Sequence, residues 1–470
     1  MKKTKLVCTL GPASEDIDII RNLVESGMNV ARLNFSHGDY DEHLGKLKNV
    51  KAIAKELNQP IAVLQDISGP KIRLGMIANE PIVLKYGDQF VLTSDDVEGN
   101  VSKVSVNHKS IPGLVQIEDI ILLADGLLQL QVVSNDETNV VTKVLVGGEL
   151  RSHKGVNLPS RSIGIDILSD KDRADLRFGL NSGVDLVALS FVRCADDAKE
   201  AREIMKQEGR IVPLIAKIEK PEAVYNLEEI IETFDGIMVA RGDLGVELPF
   251  EQLPAIQKRI ISLANAAGKP VITATQMLET MVDHPRPTRA EASDVANAIF
   301  DGTDAVMLSE ESAMGKYPVL AVATMSKIAS ETEKTFPYKE WTEKFQVRDV
   351  KASSEVIARN ACEISETLGV DAVFCLTTSG STARLISKYR PPVPVYAITD
   401  NIQAYNTLAL SFGIQPIFFR KSTDLRAITH FIKQFMLDNK LGKAVLTGSP
   451  QIGHVGSTNM ILVLDGNTNF

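Results

Sequence analysis

Apolar and polar positions along this chain fall into repeating blocks. Eight short runs rich in Val, Ile and Leu recur between residues 5 and 309: "KLVCTL", "MNVARLNF", "IAVLQD", "DLVALSF", "PLIAKIE", "GIMVAR", "PVITAT" and "DAVMLS". Such runs, bounded by polar residues, read as buried strands. Most are followed by segments of helical period, among them "DIDIIRNLVESG", "EQLPAIQKRIISLANAAG" and "TRAEASDVANAIFDG", several closing on Gly as helices tend to. The alternation predicts parallel strands joined by helices, closed as a (β/α)₈ TIM barrel or open as a doubly wound sheet. Polar residues at or just past the carboxyl ends of the runs favour the barrel: Arg32 and Asn34, Asp66, Lys217 and Glu219, Asp243, Thr275 and Ser309. In a barrel these converge on one face, where active sites form.

The repeat breaks after the third run. From about residue 70 to 165 the texture changes to short alternating stretches, "PIVLKYGDQFVLTS", "SKVSVN", "DIILLADGLLQLQVV" and "NVVTKVLVGG", separated by Gly, Asn and Asp turns. That pattern predicts an inserted small antiparallel β-barrel sitting over the strand ends. A charged, aromatic stretch, "FPYKEWTEKFQVRDVKASS", then leads into a helix over 353–368 and four more runs, "DAVFCL", "PVYAIT", "QPIFF" and "KAVLTG". These predict a separate C-terminal open α/β domain. The expected division is a catalytic barrel over 1–69 and 166–345, a lid over 70–165 and a third domain over 346–470.

Composition narrows the function. With 470 residues, 44% hydrophobic and 24% charged, the chain has the make-up of a globular protein of more than one domain. Its 60 acidic residues against 51 basic ones leave a net charge of -9, which disfavours nucleic acid and anionic membrane as partners. The apolar stretch in "MKKTKLVCTLGP" is too short for a secretory signal, and no run reaches membrane-spanning length. The four cysteines are scattered without a CxxC pair, so the expectation is a cytoplasmic protein with reduced thiols.

The chemistry concentrates at two neighbouring strand ends. In "AKIEKPEA", Lys217 and Glu219 are two apart and point to the same side of an extended chain. In "MVARGDLGVELP", Gly242 lets backbone approach a ligand while Asp243 offers hard oxygen to a metal. Glu219 and Asp243 together suit a two-carboxylate Mg²⁺ site with positions left for phosphate or substrate oxygen; a plain salt bridge from Lys217 to either is the other reading. Lys217, Arg32 and Arg73 would supply cations for an anionic substrate.

At this point the chain resembles the pyruvate kinase family over essentially its whole length. The motifs, in order, are "RLNFSHG", "GPKIR", "KGVNLP", "IAKIEKPEAV", "MVARGDLGVE", "TATQML", "HPRPTRAE" and "DGTDAVMLSEES". The resemblance implies phosphoryl transfer from phosphoenolpyruvate to ADP, giving pyruvate and ATP, with Mg²⁺ or Mn²⁺ held by Glu219 and Asp243. It implies that Lys217 and Arg32 hold the transferring phosphoryl group, that Gly242 contacts the substrate carboxylate, and that Thr275 and Ser309 lie near the enolate carbon. For Ser309, ordinary strand-end hydrogen bonding is an equal alternative. Asn34, Phe35, Ser36, His37, Arg73 and Lys154 resemble nucleotide-phosphate positions. Asn34, Ser36, Asp66 and the carbonyl of Ile67 resemble a monovalent-cation pocket. Here the chain departs from K⁺-requiring members, which carry Glu where it has Lys71. The expectation is that Lys71 brings its ammonium near Asp66 and makes K⁺ dispensable.

In the last domain, "TTSGSTAR" runs from a strand into a helix and exposes hydroxyls and backbone N–H groups suited to phosphate, or to plain helix capping. By resemblance, Thr377, Thr378, Ser379, Gly380, Ser381 and Thr382 bind a sugar-phosphate or nucleotide effector, with "GHVGSTN" at 453–459 as a second wall, in a homotetramer. Two rival readings stand beside this one: a metal-dependent lyase or aldolase acting on an enolpyruvate, and a regulatory protein with an inert barrel.

Overall fold

A computed structural model describes residues 2–159, 166–345, 353–420, 425–449 and 458–466. The eight predicted runs form eight strands: β1 (Lys5–Thr9), β2 (Val30–Asn34), β3 (Ala62–Ile67), β4 (Leu186–Leu189), β5 (Leu214–Ile218), β6 (Gly236–Ala240), β7 (Val271–Ala274) and β8 (Ala305–Leu308). Each pairs in parallel with its neighbours, and β8 closes onto β1 through Leu308 opposite Cys8. The barrel reading holds, and the open sheet is excluded.

Strand period explains the filling. Val7, Val30, Leu64, Ala188, Ile215, Met238, Ile272 and Met307 form one buried cluster. Their immediate neighbours Leu6, Cys8, Ala31, Val63, Val187, Ala216, Ile237 and Val306 pack in another, with the surrounding helices. Adjacent residues of a strand face opposite ways, so one set fills the barrel and the other faces the helical ring. The helix Asp170–Ser182 begins on a reciprocal Ser169–Asp172 capping box, and Arg289–Asp301 on a Thr288–Glu291 box, which fixes where the chain leaves the mouth.

Between β3 and β4 the lid folds as a six-stranded sheet plus a two-stranded ribbon, with Phe90, Leu92, Ile121, Leu130 and Val144 in its shared core. The expectation of antiparallel pairing holds for the paired strands except at one place, and one isolated bridge, Ile77 with Gly99, is also parallel. Gln89–Thr93 runs parallel to the short strand Lys103–Ser105, because the chain loops through 94–102 and re-enters in the same direction. The third region is an open α/β unit of five strands with Ala372–Leu376 at its centre. Its fifth strand, Met460–Asp465, pairs antiparallel with Lys443–Gly448 and was not anticipated. The expected helix over 353–368 is Ser353–Thr367. Most of the expected second effector wall, 453–459, lies outside the described residues, as do 346–352 of the charged stretch. All four cysteines are free. Among the described residues no helix is long and apolar enough to cross a membrane.

Candidate active site at the barrel mouth

The inward-facing period of each strand, carried one step past the core, selects the residues at the mouth. Val7 is followed two residues on by Thr9, Val30 by Arg32, Leu64 by Asp66, Ala188 by Ser190, and Ile215 by Lys217 and then Glu219. They meet in one network. The Arg32 Nε donates to Asp66 Oδ2 at 2.6 Å and its Nη1 to Thr9 Oγ1 at 2.9 Å. Lys217 Nζ lies 2.9 Å from Glu219 Oε1, 3.2 Å from Asp66 Oδ1 and 2.8 Å from Ser190 Oγ. The Phe191 N–H donates to the other oxygen of Glu219 at 2.8 Å.

Charge decides the protonation states here. Burial weakens the Lys217 ammonium, but Asp66 and Glu219 outweigh it and hold its pKa up at about 12. Burial likewise opposes the Asp66 carboxylate, yet Lys217 and Arg32 carry its pKa below the usual range. Glu219 shifts upward, through burial first and then repulsion from Asp243, with Lys217 opposing. Asp243 shifts downward, because Lys71 and Lys217 overcome its burial. Lys217 and Glu219 form a direct ion pair, and Asp243, in the helix just past β6, is close enough for its charge to act on both.

Strand period alone does not account for Asp243 and Thr275. β6 ends at Ala240 and turns at once into the helix Arg241–Glu247, which swings Asp243 over the mouth. Thr275, past β7, has φ +73, a region costly for a β-branched residue. Arg241 props it there: its Nη2 donates to the Thr275 carbonyl at 2.6 Å, and its Nη1 is anchored on Asp294 at 2.6 Å. Gly242 is required by the same packing, since a Cβ there would lie 2.7 Å from Thr275 Cγ2. The succession Arg-Gly-Asp thus supports one loop, admits it closely and presents a carboxylate beside it. Ser309 begins the short helix Glu310–Ala313, and its N–H donates to Glu311 Oε2 at 2.6 Å.

Three expectations need correction or refinement. Lys71 does not lie on Asp66: its Nζ donates to Asp243 Oδ1 at 2.8 Å. Arg32 and Lys217 already saturate Asp66, whereas Asp243, with its side chain 27% exposed, is within reach of the lid. At the nucleotide-phosphate position Phe35, the ring packs into the core, 2% exposed and stacked on His43 at 4.0 Å. The Ile67 carbonyl expected to bind a monovalent cation accepts from Ser190 Oγ at 2.6 Å, and Asn34 Oδ1 accepts from the Ser36 N–H at 3.2 Å. His37 has an exposed surface but is partly desolvated by its surroundings, and that desolvation together with the nearby Arg73 and Arg32 lowers its pKa. Arg73 pairs across an isolated bridge with Gly155, next to Lys154, so these cations share the lid root. Thr9 and Ser190 were missed; the strand-end signal that found Arg32 and Lys217 also marks them.

In the last domain Gly380, at φ +82, precedes the helix Ser381–Lys388, which has no side-chain cap. Thr382 Oγ1 and Thr458 Oγ1 lie 2.7 Å apart, Ser379 Oγ donates to Ser381 Oγ at 3.1 Å, and the buried Thr377 hydroxyl has no partner among the described residues. A cavity of about 450 Å³ opens between Ser379, Ser381 and Arg384 and the barrel base at Leu186, Ile215 and Pro270.

Fold and mouth together define a (β/α)₈-barrel enzyme with an inserted sheet domain and a lysine held among carboxylates. The family model "Pyruvate kinase, barrel domain" matches residues 1–322, and "Pyruvate kinase, alpha/beta domain" matches 355–464. The chain belongs to the pyruvate kinase family, whose members are phosphotransferases. It is 43% identical to the pyruvate kinase of Bacillus licheniformis over 98% of this chain and 80% of that protein. It is 42% identical to the pyruvate kinase of Clostridium acetobutylicum over 98% and 99%. It is 44% identical to pyruvate kinase 2 of a Synechocystis strain over 98% and 79%.

Proposed function

We propose that this chain transfers the phosphoryl group of phosphoenolpyruvate to ADP, releasing pyruvate and ATP as a step of glycolysis in the cytoplasm. The observation that carries the reading is Lys217, an ammonium pinned between Asp66 and Glu219 with Asp243 in range. Phosphoryl transfer through a loose transition state is stabilised by positioned positive charge rather than by covalent chemistry. Lys217 and Arg32 meet the phosphoryl oxygens, and their fixed partners keep both groups from reorganising as charge moves. Gly242, which can bear no side chain beside Thr275, leaves room for the substrate carboxylate. Thr275 and Ser309 stand at the enolate side. His37, Arg73 and Lys154, with Asn34 and Ser36, suit the diphosphate of ADP under the lid.

The donor set fits a divalent cation. Glu219 and Asp243 repel each other in a buried site, a strain that a shared Mg²⁺ or Mn²⁺ would relieve. No group of three or more His, Cys, Asp or Glu side chains placed to hold a metal gathers among the described residues, so such an ion would take remaining oxygens from substrate and water. When bound it would polarise phosphoryl and enolate oxygens. K⁺ is dispensable in this reading because Lys71 already brings a positive charge into the mouth, onto Asp243. The 377–382 loop takes a sugar phosphate or nucleotide, supported by its uncapped helix start and the adjoining cavity with Arg384, in a homotetramer.

The test is pyruvate release from phosphoenolpyruvate with Mg²⁺, with and without ADP, K⁺ and candidate sugar phosphates. ADP-dependent release that persists without K⁺ is expected. Release without ADP would favour a lyase or hydrolase, and strict K⁺ dependence would remove the role given to Lys71.

A further inference from the structure

Lys71 has a place in the site that charge balance alone does not explain. It belongs to the hinge segment "GPKIR", where the chain leaves the barrel for the lid. Its Nζ contacts Asp243 Oδ1 at 2.8 Å and lies 3.9 Å from Asp125 Oδ1 of the lid, so one ammonium spans both bodies. The carbon arm passes over Gly155, where an added Cβ would come within 3.0 Å of Lys71 Cε. The other acidic groups are served elsewhere: Asp66 by Arg32 and Lys217, Glu219 by Lys217, and Glu247 by Lys220 at 2.6 Å. Asp243 has Lys71 as its direct cation.

We propose that Lys71 is the exchangeable counter-ion of Asp243, competing with the divalent cation for the same carboxylate oxygen and loosening the lid root when the cation displaces it. This rests on the reading that Asp243 is a metal ligand. The ammonium is a compact point charge on a flexible stem, so it can give way to a better cation, which a rigid guanidinium does less readily. The divalent ion therefore binds against an internal competitor, and its affinity for the free protein is held below what Glu219 and Asp243 would otherwise give.

Mn²⁺ binding to the full-length protein without substrates, followed by the electron paramagnetic resonance signal of free Mn²⁺, tests this. Lys71→Met is expected to tighten binding by about tenfold, because it removes the competitor while keeping the apolar arm. Gly155→Ala keeps every charge but crowds the arm, and is expected to shift affinity the same way by roughly threefold; it carries the test should Lys71→Met not fold. Lys220→Met removes a charge that Asp243 also feels but leaves the Lys71 contact, and is expected to change affinity by less than about twofold. Unchanged or weaker binding in Lys71→Met and Gly155→Ala overturns the proposal, as does an equal gain in Lys71→Met and Lys220→Met. Asp243→Asn separates the two layers: if it binds Mn²⁺ as tightly as the native protein, Asp243 is no ligand, and both the metal reading and this inference fail together.

Discussion

The barrel buries a charged cluster at each end, and the two behave oppositely. At the mouth, Lys217 sits between carboxylates and its pKa is held up at about 12. At the base, Lys5 reaches through to the third domain and donates to the Ile414 carbonyl at 2.6 Å, and burial lowers its pKa to about 8. Nearby, Arg390 is lowered to about 10 by burial; it lies 3.8 Å over the Phe412 ring and donates to the Thr303 carbonyl at 3.0 Å. Its Asp304 neighbour, 3.9 Å away, is pushed upward by burial. At the mouth Lys217 pairs directly with carboxylates, which raise its pKa; at the base Lys5 and Arg390 are held by carbonyls and an aromatic face, and burial lowers theirs. Buried charge as such therefore does not mark a site. Opposed ion pairs open to a ligand do, and dipole-held ones tie domains together.

The comparison breaks most readily at Lys217. Lys217→Met is expected to lower turnover by roughly 10²-fold or more, measured on the folded fraction, as loss of a preorganised electrostatic donor generally does. Near-native turnover would put the two clusters in the same structural class. Next is Arg390→Met, expected to cost about 3 kcal/mol in denaturant unfolding while turnover of the folded protein stays within about twofold. A large loss of turnover at unchanged stability would make the base part of the catalytic machinery.

The smallest effect is a slope in stability against pH. Lys5, lowered in the fold from 10.5 to about 8, binds more protons when unfolded between those values, so it makes stability rise as pH climbs through that window. Lys217, raised from 10.5 to about 12, contributes stability that is fully present below 10.5 and lost as pH rises toward 12. In urea titrations from pH 8 to 10, Lys5→Met should therefore flatten the curve. An unaltered slope would show that Lys5 titrates normally in the fold.

Much of the mouth could be read from the chain because strand period is local. Arg32, Asp66, Lys217 and Glu219 each stand in phase with core residues of their own strand, and Thr9 and Ser190 obey the same rule. Lys71 is different: its hinge position is plain in the sequence, but its partner is not. Whether it meets Asp66 or Asp243 depends on which carboxylate the barrel strands have already neutralised. Phe35 shows the same limit from the other side, since a residue inside a motif can serve the core with its ring.

The sequence by itself determined the strand–helix alternation, the interruption that becomes the lid, and the family, because burial period and ordered motifs are properties of neighbouring residues. Only the tertiary structure decided which charges pair, that Arg241 holds Thr275 in a strained turn above Gly242, and that the base cluster serves the domain contact. Those outcomes depend on barrel closure, which brings together groups more than a hundred residues apart, such as Asp66 and Lys217 or Lys71 and Asp243. Their energies depend on distance and burial, which no local pattern encodes.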